Sequence, residues 1–126
     1  MGTSTCILEV CVDSLESARN AERGGASRLE LCSSLSLGGL TPTVGFVRSV
    51  KKCVKLPVFA MIRPREGDFV YDQDELDVME QDIVSLKEIR VDGFVFGAIY
   101  PDGAVDREAC RRLIRSAYPL PCTFHR

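Results

Sequence analysis

Two short runs in the chain echo one another: Leu8-Glu9-Val10-Cys11 and Leu29-Glu30-Leu31-Cys32. Each sets a carboxylate two residues before a thiol, and along a β-strand residues two apart face the same side. Glu9 and Cys11 are thus expected to share a face opposite Leu8, Val10 and Val12, and Glu30 and Cys32 a face opposite Leu29 and Leu31. Soft thiolates select Cu(I) over hard cations, while the acids beside them must be paired if they are buried. Neighbouring strands lie about 4.8 Å apart. Two sulfurs bridged linearly by one metal, with bonds of about 2.3 Å as for zinc, would be roughly 4.6 Å apart. Cys11 and Cys32 could therefore hold one ion, provided strand stagger does not separate them. Cysteine also packs as a small hydrophobe, the more ordinary role for two cysteines at arbitrary strand positions.

The same alternation puts Phe59, Met61 and Arg63 together on a third strand, so Arg63 is expected to offer Glu9 and Glu30 a bidentate partner. A structural ion pair outweighs catalysis for Glu9; for Glu30 the two stand even. His125, the one histidine in the sequence, ends a fifth strand beside Arg126, a place suited to acid–base or ligand duty. Arg63, Arg65 and His125 would together make a cationic rim for a carboxylate or phosphate. Gly38-Gly39 could add backbone N–H groups for an anion, although such turns more often only shape a loop. Cys6, Cys53, Cys110 and Cys122 read as packing or surface residues, because the six cysteines show no C-x-x-C pair and no zinc-finger spacing.

Alternating apolar runs and helical patterns position these residues, the mark of parallel βα units. Strands are expected over residues 6–12, 28–32, 58–62, 92–97 and 120–125. The first helix is capped by Asp13 or Ser14, with Glu16 placed for a capping box, and ends at Gly24-Gly25. Thr41 and Pro42 open the second helix. Asp72 or Asp74 caps the third, whose Leu76, Met79, Ile83 and Leu86 recur at helical spacing, and Asp106 caps the fourth. Four strand–helix units and a fifth strand make an α/β chain, the N-terminal half of a (β/α)₈ TIM barrel, which needs about 250 residues; this sequence has 126. A small doubly wound sheet uses the same unit and is the alternative.

Hydrophobic residues make up 45% and charged residues 27%, with a formal net charge of −2. That balance gives no field for gathering nucleic acid or an anionic membrane. No apolar run reaches the roughly 18 residues of a membrane span, and Met1-Gly2-Thr3-Ser4-Thr5 lacks the features of a signal peptide. A cytoplasmic setting with reduced thiols is expected.

Taken in order, Leu8 to Ser14, Gly24-Gly25-Ala26, Arg28 to Ser33 and Gly38-Gly39-Leu40-Thr41-Pro42 resemble the CutC copper-homeostasis family. So do Pro57-Val58-Phe59, Met61-Ile62-Arg63-Pro64-Arg65, Gly67-Asp68-Phe69, Asp92 to Gly97 and Thr123-Phe124-His125-Arg126. The resemblance spans nearly the whole chain. It implies a (β/α)₈ barrel, a role in copper handling and a Cu(I) site at Cys11 and Cys32. It also implies further sequence after Arg126, carrying strands six to eight. Three departures stand out: Glu66 for a usual Gly, Ser27 for a usual Asp, and Ile89-Arg90-Val91 for a Leu-Gly-Ala at the end of the third helix. Losing that Gly puts a side chain where a left-handed cap is expected, at a cost near 1 kcal/mol.

Three functions follow. The first is Cu(I) binding by Cys11 and Cys32. The second is an enzyme on a small anionic metabolite, with Glu30 or His125 as acid or base and Arg63 and Arg65 holding the ligand. The third is a chain inactive alone, whose open edge strands pair with a second copy as a homo-oligomer.

Overall fold

The structure, a computed structural model, describes residues 6–125; Arg126 lies outside the described residues, as do Met1 to Thr5. The elements are β1 (Glu9–Val12), α1 (Leu15–Arg23), β2 (Arg28–Leu31), a 3₁₀ turn (Leu35–Leu37), α2 (Val44–Cys53), β3 (Val58–Met61), α3 (Gln73–Glu88), β4 (Gly93–Phe96), α4 (Arg107–Ala117) and β5 (Cys122–Phe124). All five strands are parallel and lie in chain order, β1-β2-β3-β4-β5. A doubly wound sheet reverses its order at a switch point; this one does not. The winding is that of the N-terminal half of a (β/α)₈ barrel.

One face of the sheet is apolar and meets the helices. Val12, Leu29, Leu31, Val58, Ala60, Ile62, Phe94 and Phe96 join Val47, Val50, Leu76, Met79, Ile83, Leu86 and Leu113 in one buried cluster. Glu9, Cys11, Glu30, Phe59, Met61 and Val95 alternate with the strand members of that cluster and take the other, inner face. The predicted stripe on α3, Leu76 to Leu86, is wholly buried. Burying a Phe or Leu side chain is worth about 1.5–3 kcal/mol, so this shared stripe fixes which way each strand faces.

Local signals set the element ends, with three corrections. Of the two candidates, Ser14 caps α1, accepting from Ser17 N. Asp13 instead accepts from Leu35 N at 3.0 Å, so Glu16 has no capping box to complete. Thr43, not Thr41, caps α2; Thr41 Oγ1 accepts from Arg63 N at 2.9 Å, which ties the end of β3 to the loop before α2. The strands are shorter than the apolar runs suggested, although bonds to the neighbouring strand, such as Cys32 N to Val12 O and His125 N to Phe96 O, continue past their ends. Asp72 caps α3 in a full capping box with Glu75, and Asp106 caps α4. Arg90 follows the C-cap of α3 at φ 66°, the left-handed position predicted where the Gly is lost. No helix of the described residues is long and apolar enough to cross a membrane.

Candidate functional site

Cys11 and Cys32 converge on the inner face with their sulfurs 3.8 Å apart. The ladder does not set them opposite each other. Cys11 stands across from Glu30, and Cys32 lies just past the end of β2, its N–H donating to Val12 O at 3.1 Å. The thiols therefore meet on a diagonal, Cys11 exposed and Cys32 fully buried. Gly39, at φ 91°, lies beside Cys32; a Cβ there would fall 2.8 Å from Met61 Sδ and 3.2 Å from Cys32 Sγ.

The two thiols share a hydrogen bond that either sulfur could donate. That bond lowers the Cys11 pKa, while the same bond and burial raise that of Cys32. The first proton to leave comes from Cys11. Glu30, Glu9 and Asp13 oppose that loss through their negative charge, and for the same reason they favour a cation at the sulfurs. Among the described residues no group of three or more His, Cys, Asp or Glu side chains could hold a metal. Two thiols fall short of the four ligands of structural zinc and suit a soft ion.

The expected pairing of Arg63 with Glu9 and Glu30 does not occur. Arg28, across the ladder from Glu9, takes that role, with Nε 2.6 Å from Glu9 Oε2 and its guanidinium 4.3 Å above the Phe59 ring. Glu30 has no such partner; burial, then the neighbouring Glu9 carboxylate, push its pKa up to about 7. The alternation in Arg28-Leu29-Glu30-Leu31-Cys32 already put Arg28 on the inner face, a signal passed over because Arg63 ended a strand.

Arg63 is spent on loops. It is 6% exposed. Its Nη1 donates to Leu37 O at 2.7 Å and Gly39 O at 3.1 Å, and Nη2 donates to Gly67 O at 2.8 Å. The guanidinium lies 4.8 Å from the Phe69 ring centre. Gly38 and Gly39 thus offer Arg63 a carbonyl and do not offer an anion their N–H groups, which donate to Leu35 O and Ser34 O. Arg65 turns away: it ion-pairs with Glu75 and with Asp68, and donates to Val70 O at 2.7 Å. It closes the loop over residues 65–71 and leaves the rim.

His125 is half-buried, edge-on to Phe69 with ring centres 5.4 Å apart. Its Nε2 is buried without a hydrogen-bond partner. Burial, then the charge of Arg63, lower its pKa and favour the neutral imidazole. Its backbone passes so close to Gly97 that a Cβ there would lie 1.3 Å from His125 O. Arg63 and His125 come together around Phe69; Cys11, Cys32, Glu9 and Glu30 form a separate group.

This diagonal thiol pair on the first two strands of a half barrel accompanies a family match. The model of the CutC family covers residues 6–126. The chain belongs to the CutC family. It is 57% identical over 120 residues to the human copper homeostasis protein cutC homolog, covering 95% of this chain and 44% of that protein. The mouse homolog is 56% identical over 120 residues, with the same two shares, 95% and 44%. The crystal structure of CutC from Streptococcus agalactiae superposes with a TM-score of 0.88 at 35% identity, covering 95% of this chain and 59% of that one. The chain thus spans less than half the length of its mammalian CutC relatives.

Phe69 and Gly97 were not singled out as site residues from the CutC-like sequence. Phe69 lies in a polar loop, where one aromatic among charged residues was the available signal. Gly97 follows an apolar strand, and a glycine at a strand end marks close backbone approach.

Proposed function

We propose that this CutC-family chain serves copper homeostasis by holding Cu(I) between Cys11 and Cys32. The observation that carries this reading is the 3.8 Å separation of the two sulfurs. Linear coordination with bonds of about 2.3 Å asks the sulfurs to part by about 0.8 Å, within reach of small χ1 changes at two side chains. Cys11 is exposed and supplies the route of entry and release; Cys32 is buried and has its position held by Gly39 and Met61.

The chemistry follows from the two thiols. Metal ligation requires thiolates, so binding releases protons. Cys11 gives up its proton first, and the cation then replaces the S–H of Cys32 as the group bridging the sulfurs. Glu30 and Asp13, which resist a bare thiolate through their charge, stabilise the cation once it is there. Copper here is cargo. The reducing cytoplasm would keep both thiols free for it.

Anaerobic Cu(I) titration against a competing chelator tests the reading. The wild-type chain should take up one Cu(I), and the Cys11→Ser/Cys32→Ser double variant should lose at least a hundredfold in affinity. Equal stoichiometry and affinity in the two would end the proposal.

A further inference from the structure

Arg63 lines a cavity of about 460 Å³ whose wall also includes Gly38, Gly67, Asp68, Phe69 and Ile99. Its charge is buried, and among the described residues no carboxylate pairs with it. Three carbonyls satisfy hydrogens on Nη1 and Nη2, and Nε is left with no acceptor. A buried guanidinium with two of its five N–H groups unfilled and its charge unanswered is costly unless an anion joins it. The acid on the cavity wall, Asp68, does not supply that anion. Its Oδ1 is taken by Arg65 Nη2 at 3.1 Å and by Val70 N at 3.2 Å. The remaining walls, Phe69 and Ile99, are apolar.

We propose that this cavity binds a small monocarboxylate, its carboxylate drawn by the unpaired charge of Arg63 and its short apolar body lying against Phe69 and Ile99. Arg63 supplies charge, and two of its five N–H groups, on Nε and Nη2, stay free of the Leu37, Gly39 and Gly67 carbonyls that hold the other three. The apolar walls favour an organic acid over inorganic phosphate. The site is distinct from the thiol pair and does not rest on copper binding.

His125 is a built-in reporter. It is the one histidine in the chain, and its ring packs edge-on against Phe69, within the electrostatic reach of Arg63. Titrations of the full chain with butyrate, acetate and inorganic phosphate, followed through the imidazole proton signals by NMR, test the proposal. Butyrate should shift those signals saturably, with a midpoint several-fold below that of acetate and below that of phosphate. Arg63→Lys should raise the butyrate midpoint at least tenfold. Ile99→Glu, at a half-buried wall position, plants a competing carboxylate and should do the same, so a folding defect in one variant still leaves the other. No saturable shift in the wild-type chain overturns the site. So does a midpoint unchanged in the folded variants, or a lower midpoint for phosphate than for butyrate.

Discussion

On β1 and β2 the inner face carries Cys11, Cys32 and Glu30 in an acidic setting, each side chain placed by a strand or the residue just past it. Around β3 and β5 the same face carries Arg63 and His125, placed by what the loops bring to them: the Leu37, Gly39 and Gly67 carbonyls and the Phe69 ring. Two thiols on or beside strands need little support, since the parallel ladder fixes their backbones. A loop-borne cation needs a partner for every donor, and where one is missing the vacancy points to a ligand. The first region favours a cation and the second an anion, and Gly39 borders both: its carbonyl accepts from Arg63, and a Cβ on it would run into Met61 and Cys32.

Separating the two regions by mutation is the sharpest use of that contrast. Gly97→Ala should have the largest effect, because a Cβ at 1.3 Å from His125 O forces β5 away from β4. The expected cost is about 3 kcal/mol, read by urea unfolding. The His125 NMR signals should move while Cu(I) stoichiometry stays that of the wild type. A loss of Cu(I) binding in the folded variant would show that the regions are not independent.

Glu30 sharpens the other side. Its folded-state pKa is raised from an ordinary 4.5 to about 7, so the folded chain keeps a proton that the unfolded chain has lost. The stability that this proton confers is whole below about pH 4.5 and is lost as the pH rises through about 7. With solvent screening at a half-buried group the loss should be about 1 kcal/mol. Glu30→Gln should flatten that part of the stability–pH curve, measured by urea melts between the two limits. An unchanged slope would mean that Glu30 titrates as an ordinary carboxylate.

The smallest effect belongs to a position remote from both regions. Arg90 holds a left-handed φ of 66° after α3, and Arg90→Gly should relieve it. The net gain should be about 0.5 kcal/mol, since Gly also widens the unfolded ensemble. Thermal melting should show a slightly higher midpoint, with Cu(I) titration and His125 signals unmoved. A lower midpoint would remove the strain argument.

The sequence alone determined the element order and which face of each strand turns inward, because period-two alternation and the 3.6-residue stripe on α3 are local properties that burial then enforces. It also determined the cap at Asp106 and narrowed that of α3 to Asp72 or Asp74, where the signal lies within four residues of its effect. The tertiary structure decided the partners. Strand order without a reversal chose the barrel over the doubly wound sheet. Register gave Glu9 to Arg28 and set Cys11 across from Glu30, so the sulfurs meet diagonally at 3.8 Å. Arg63 went to carbonyls from loops 24 and 26 residues earlier, and Arg65 went to Glu75, ten residues on. A charged side chain at a strand end has several acceptors within reach, and which of them wins depends on loop paths that no short stretch of sequence encodes.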